Sequence, residues 1–179
     1  LKWRVLINTV FKTPGSRTPL KGASELYNLL HRGTSGLKAN PIFYVSHSPW
    51  NLYRYLEFFL QKNNFPKGPI LLRNFPKFRR RKKEEEKPQK QKEILNLLKT
   101  YPDLKFILIG DSGEHDADIY KEIAELDPDR ILAIYLRSVA HRGKMERVRG
   151  LFENYKTTPV LLVEHSEDAV KDARRRGFI

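Results

Sequence analysis

Lys105-Phe-Ile-Leu-Ile-Gly-Asp-Ser-Gly-Glu-His-Asp116 is the stretch that decides how this 179-residue chain folds. Phe106 to Ile109 is a short apolar run with β-branched residues, the pattern of a buried strand. Gly110 ends the run, and a polar loop leads to Asp116. Ala117 to Leu126 then has helical spacing, with Ile119, Ile123 and Leu126 on one face. Asp111 and Asp116 therefore fall in a loop at the carboxyl end of a buried strand, the edge at which open α/β sheets bind ligands. Two hard oxygen ligands there suit Mg²⁺, which takes one or two protein carboxylates and completes its shell with water and substrate phosphate. The competing reading is an ordinary strand-to-helix turn in which Asp acts as a cap.

Outward from this stretch, strands and helices alternate. Pro41-Ile-Phe-Tyr-Val45 reads as a strand running into Ser46-His-Ser-Pro-Trp50. Pro49 then opens a helix capped by Ser48 and reaching Asn63. Ile70-Leu-Leu72 is a further strand, and Ile94, Leu95, Leu97 and Leu98 mark a helix ending near Thr100. Downstream, Ile131 to Leu136 and Pro159 to Val163 read as strands, with loop and helix in Val139 to Tyr155. A terminal helix, Glu167 to Arg176, is capped by Ser166 and closed by Gly177. Near the start, Ser24 to Leu30 is helical, and Leu1 to Phe11, alternating basic and apolar residues, is read as a helix. This order gives βαβ units and a mainly parallel sheet, with right-handed crossovers setting helices alternately on the two faces.

The length is that of one domain with a proper core, and 40% apolar with 31% charged residues is a globular composition with a heavily charged surface. No apolar run approaches a membrane span and no signal-peptide pattern is present, which favours a cytoplasmic or peripheral membrane location. With no cysteine, disulfides and Cys-based zinc sites are excluded. The net charge of +13 favours anionic partners: phosphate esters, acidic lipid surfaces or nucleic acid. Between Lys77 and Lys92 nine Lys or Arg face three Glu, a net of +6 by 9 − 3. That run reads either as a solvated, mobile loop entering a helix or as a basic lip, with Arg79, Arg80 and Arg81, drawing anionic substrates or membranes.

Three groups suit phosphate chemistry. Ser46 follows a strand directly, where a hydroxyl and helix-start N–H groups can hold a phosphate oxygen. Lys90 opens the helix before the central stretch and can place a point charge on a phosphoryl group. Asp111 and Asp116 would hold Mg²⁺ and so neutralise charge on the transferring group.

The runs Phe43-Tyr-Val-Ser-His-Ser-Pro-Trp50, Phe106-Ile-Leu-Ile-Gly-Asp-Ser-Gly-Glu-His-Asp116 and Asp129-Arg-Ile-Leu-Ala-Ile-Tyr-Leu-Arg137 resemble the catalytic domain of the actin-patch-type phosphatidate phosphatases, of the haloacid dehalogenase superfamily. The resemblance extends from about Arg17-Thr-Pro-Leu-Lys-Gly22 to Arg176-Gly-Phe-Ile179. It implies a single catalytic domain with a Rossmann-like sheet and Mg²⁺-dependent hydrolysis of phosphatidate to diacylglycerol and phosphate through an aspartyl-phosphate. On these motifs Ser46 corresponds to the hydroxyl that holds the phosphoryl group, Lys90 to the phosphate-binding lysine, with Lys92 as the alternative, and Asp111 and Asp116 to the Mg²⁺ ligands. Trp50, with Arg79, Arg80 and Arg81, would meet substrate or bilayer, and Tyr53 reads as a core aromatic.

One motif of that family is absent. Its Asp-x-Asp-x-Thr run supplies nucleophile and general acid/base, yet the first aspartate here is Asp103. A chain that begins at Leu1 rather than methionine fits a fragment starting after that motif. The expectation is then a sheet without its central first strand, between those ending at Val45 and Ile109, and a fragment without hydrolytic activity. The alternatives are a phosphate- or lipid-binding pseudoenzyme and, ranked lowest, a basic nucleic-acid-binding module, for which no motif accompanies the charge.

Overall fold

Alternation of side chains along two strands sorts the core into two layers. Ile42 and Tyr44, like Ile107 and Ile109, point to one face of the sheet, while Phe43, Val45, Phe106 and Leu108 point to the other. A computed structural model describes the backbone of residues 4–8 and residues 21–36, 40–73, 87–113 and 115–179. Its elements are β1 (Arg4–Asn8), α1 (Ala23–Arg32), β2 (Ile42–Pro49), a 3-10 turn (Trp50–Leu52), α2 (Tyr53–Lys62) and β3 (Ile70–Arg73). They continue with α3 (Gln89–Thr100), β4 (Lys105–Asp111), α4 (Asp116–Leu126), β5 (Ile131–Arg137), α5 (Arg142–Phe152), β6 (Val160–Val163) and α6 (Ser166–Arg175). The basic run at Arg79, Arg80 and Arg81 lies outside the described residues.

The six strands form one sheet in the order β3-β2-β1-β4-β5-β6, every pair parallel. This is the Rossmann-like α/β architecture expected from the sequence. The helices do not alternate face by face as expected; they divide into blocks. Residues of α1, α2 and α6 pack in one layer, and those of α3, α4 and α5 in the other. The cause is the strand order. Two right-handed crossovers outward from β1 to β3 leave α1 and α2 on one side, and reversing direction after β3 leaves the crossover helices α3, α4 and α5 on the other; α6 follows the last strand and returns to the first side.

The segment read as a helix, Leu1 to Phe11, contains β1, and the central place expected to be missing is filled by it. Arg4 to Asn8 pairs with Lys105 to Ile109 of β4 on one side, and Leu6 to Asn8 pairs with Ile42 to Tyr44 of β2 on the other. Both neighbours need ladder partners, and a strand inside a parallel sheet is marked by an unbroken apolar run, here Val5-Leu-Ile7, rather than by alternation.

Two expected caps are corrected as well. The strand runs on through Ser48 and Pro49, and the 3-10 turn that follows has no side-chain cap. Pro49 pairs with Arg73 after a register shift, so its missing N–H falls where the ladder is already irregular. Ser166 is the first residue of α6 and its hydroxyl donates to the Lys21 carbonyl at 2.8 Å, tying α6 to the turn before α1. Gly177 does close α6, with φ +69°.

Candidate active site

The strand order reverses around β1, and that switch point is where open α/β sheets form a crevice at their carboxyl edge. Asn8 stands opposite Tyr44 of β2 and Ile109 of β4. Two residues further along each neighbour come Ser46 and Asp111, so both reach the same level of the edge with β1 between them. Two interstrand spacings put their Cα atoms about 10 Å apart. Ser46 and Asp111 are both buried.

The loop after β4 is fixed by its own acids. Asp116, the first residue of α4, accepts the Asp111 backbone N–H on Oδ2 at 3.0 Å and the Lys90 ammonium on Oδ1 at 2.5 Å. The two side chains of that pair are 2% and 1% exposed, so the ion pair is shielded from water. Asp111 Oδ1 in turn accepts the Gly113 N–H at 2.6 Å, an Asx-type turn. A Cβ on Gly113 would stand 2.8 Å from that oxygen and 3.0 Å from a Val139 methyl, so the turn closes only with glycine. Behind the loop, the Tyr120 hydroxyl donates to the Ile109 carbonyl at 2.8 Å and locks α4 to the end of β4.

At the front, α5 clamps the same loop. Ser112 Oγ donates to the Arg137 carbonyl at 2.6 Å and lies 3.2 Å from Met145 Sδ. Lys144 Nζ donates to the Gly113 carbonyl at 2.7 Å, and Arg147 binds Asp118 through two hydrogen bonds of 2.9 and 2.6 Å. The Arg147 guanidinium holds the Asp118 carboxyl below its ordinary value, against the opposing effect of burial.

On the other side of β1, Ser46 Oγ accepts the Ser48 N–H at 3.1 Å and donates to Ser48 Oγ at 3.1 Å, so its hydroxyl is held in a tight turn at the strand end. His47 is kept below its ordinary pKa, first by burial and then by Lys90, with Arg73 and His115 adding to the effect and Asp116 opposing it. That dependence couples the end of β2 electrostatically to the Lys90–Asp116 pair. The next residue but two, Trp50, is 54% exposed, and its ring lies 5.0 Å from that of Tyr53. Tyr53 itself is half-buried against the core.

Of the residues singled out in the sequence, Lys90, Asp111 and Asp116 are in direct contact and Ser46 is level with them across β1. Lys92 lies half-buried two positions along α3. His47, Ser112, Lys144 and Arg147 complete the surroundings and were not foreseen. Ser112 was within reach, since it sits inside the motif, whereas nothing local announces that a helix after β5 returns to the loop after β4.

Among the described residues no cluster of three or more His, Cys, Asp or Glu is present. Mg²⁺ does not need one, since it is commonly held by one or two carboxylates with water and phosphate. The carboxylates at this edge are hard oxygen donors, the chemistry such a cation takes, with Asp111 at the strand end and Asp116 behind it.

Comparison with known proteins adds independent findings. The family described as the phosphatidate phosphatase APP1 catalytic domain matches residues 1–138. The chain is 43% identical over 96 residues to phosphatidate phosphatase APP1 of Saccharomyces cerevisiae, covering 53% of this chain and 16% of that protein. It is 33% identical over 132 residues to an uncharacterized protein of Schizosaccharomyces pombe, covering 73% of this chain and 21% of that one. The chain thus spans about a fifth or less of each of these curated relatives. No solved structure matches it.

Proposed function

We propose, from the premise that this chain belongs to the phosphatidate phosphatase APP1 catalytic-domain family, that it is the phosphate-handling part of a Mg²⁺-dependent phosphatidate phosphatase with haloacid dehalogenase-like chemistry. The observation that carries the reading is the buried Lys90–Asp116 pair beside Asp111, level with Ser46 across the switch point.

In this reading Ser46 and Lys90 hold the phosphoryl oxygens, and Asp111, backed by Asp116, holds Mg²⁺. When bound, the cation neutralises charge on the phosphoryl group. The hydrolysis proceeds in two displacements. An aspartate oxygen bonds to phosphorus as the bond to the glycerol oxygen breaks, and that oxygen leaves as diacylglycerol with a proton from the acid. Water then cleaves the aspartyl-phosphate and releases phosphate. Residues 1–102 contain no aspartate, so in this reading the chain by itself is expected to be silent.

A lipid substrate is presented at a bilayer, and the surface beside Ser46 suits one. Trp50, Tyr55 and Phe58 are among the few large apolar side chains left exposed, and Arg54 stands between them almost fully in solvent. Aromatic rings with flanking cations are the residues that settle at anionic lipid interfaces. No helix among the described residues is long and apolar enough to cross a membrane.

The test is release of inorganic phosphate from phosphatidate vesicles by the full-length protein and by this chain alone, with Mg²⁺ or with chelator. Full-length protein releases phosphate only with Mg²⁺, Asp111→Asn abolishes release, and this chain releases none. Hydrolysis by this chain, or near wild-type release by Asp111→Asn, overturns the assignment. Binding of phosphate without turnover by the full-length protein would instead identify a pseudoenzyme.

A further inference from the structure

The sheet ends at β6, whose residues Val160–Val163 pair with β5 on one side and with no other strand among the described residues. The Pro159 and Val163 carbonyls accept the Ile134 and Ser138 N–H groups at 2.9 and 2.8 Å. A parallel ladder bonds through every second residue of a strand, so Leu161 faces β5 with them. The N–H and C=O groups of Val160 and Leu162 therefore point outward, and none of them has a partner among the described residues.

Edge strands are commonly guarded by charges, prolines or bulges. β3, at the other edge, ends in Arg73. β6 is apolar and uncharged throughout, with Pro159 only in front of it. Val160, Leu161 and Leu162 are half-buried, whereas β4 is buried from Phe106 to Asp111. The flanking charges differ in sign at the two ends of β6. Past its carboxyl end Glu164, Glu167 and Asp168 are exposed and make no ion pair among the described residues, on a chain of net charge +13. Before its amino end Arg149 and Lys156 are exposed and equally unpaired, beside Glu153. The dipole of α6 favours acids in its first turn, but Glu164 precedes that helix.

We propose that β6 pairs antiparallel with β6 of a second copy of this chain, about a two-fold axis at Leu161, joining the two sheets into one. Val160 then stands opposite the second copy's Leu162 and exchanges both ladder hydrogen bonds with it. Val160 and Leu162 both lie on the α5 face, so the pair continues the apolar layer under α5. The two Leu161 side chains meet on the α6 face. Antiparallel pairing also matches the charges. Lys156 of one copy comes level with the second copy's Ser166, between Glu164 and Glu167, whereas parallel pairing would set acids against acids. A contact of this isologous kind closes at two copies. The carboxyl edges of the two copies face opposite ways, so a flat bilayer meets only one Asp111 loop of the pair at a time.

The test is sedimentation equilibrium of this chain and of the full-length protein, with amide exchange followed by NMR. A monomer–dimer equilibrium is expected, in which protection of the Val160 and Leu162 amides rises with concentration while the Leu161 amide is protected throughout. Lys156→Glu and Glu167→Lys each weaken dimerisation about threefold or more, and the variant carrying both recovers it. Within one copy these positions are separated by the length of β6, about 13 Å, so only contact between copies couples them. Leu162→Pro removes an outward N–H and spares the ladder to β5; it weakens dimerisation about tenfold while the Leu161 amide stays protected. A monomer at every concentration, a dimer that leaves Val160 and Leu162 exchange unchanged, or no recovery in the charge-swapped variant overturns the proposal. So does a monomeric full-length protein with these two amides always protected, because another segment would then hold the edge.

Discussion

Replacing Lys90 by methionine preserves the length and apolar character of its stem and removes only the ammonium. The Asp116 carboxylate, 1% exposed, then keeps the Asp111 N–H but loses the Lys90 ammonium. Breaking a buried ion pair from one side costs about 3–5 kcal/mol, because the remaining charge stays desolvated. For a chain of this size each kcal/mol shifts the melting temperature by about 2–4 °C, so the expected fall is about 6–20 °C. Asp116→Asn in the same background restores most of it, since the amide oxygen can still accept the Asp111 N–H and position 116 no longer carries a buried charge. The assay is a double-mutant cycle by thermal and urea unfolding, with Lys92→Met as the comparison that costs less. A loss below about 1 kcal/mol in Lys90→Met, or simple additivity in the double variant, would refute the argument that this pair is a shielded anchor of the loop.

Two further outcomes follow from single groups. Gly113→Ala forces a methyl against Asp111 Oδ1 and Val139, and destabilises by about 1–3 kcal/mol; an unchanged melting temperature would show that the turn has room. Burial works to raise the Asp172 pKa, but hydrogen bonds from Arg176, Arg175 and Tyr135 outweigh it and hold the carboxyl below its ordinary value of 3.8. Its contribution is therefore full above that value and is lost as pH falls through the lower folded-state value. Urea midpoints should drop steeply in that acid range for wild type and less so for Asp172→Asn, and parallel curves would remove Asp172 as the cause.

The placement of Asp111 and Asp116 at the end of β4 was legible because its signals are local: an apolar run, a glycine, and acids at a strand end. The buried faces of β2, β4 and β5 were legible for the same reason, through alternation or an unbroken apolar stretch. Leu1 to Phe11 was not, because interleaved Lys2 and Arg4 imitate an amphipathic pattern while the place of β1 is decided by ladders to β2 and β4, far away in sequence. The caps assigned to Ser48 and Ser166 failed similarly. Both hydroxyl residues stand where caps belong, but the backbone before α2 stays extended through Pro49, and Ser166 is drawn to a carbonyl 145 residues away. The division of helices into blocks follows from strand order, which no local pattern carries.

The bond from Ser166 to Lys21 joins the last helix to the turn before the first. A parallel sheet already depends on distant pairings, which must meet the entropy of loop closure before they reward it. Here the layer holding α1 stays uncovered along one side until α6 has been synthesised, because Ala169 and Ala173 belong to the same buried cluster as Leu26 and Leu30. The emerging polypeptide thus carries an open apolar seam through most of its translation. That seam is the natural place for a chaperone to engage, and for aggregation to start when the closing helix is late.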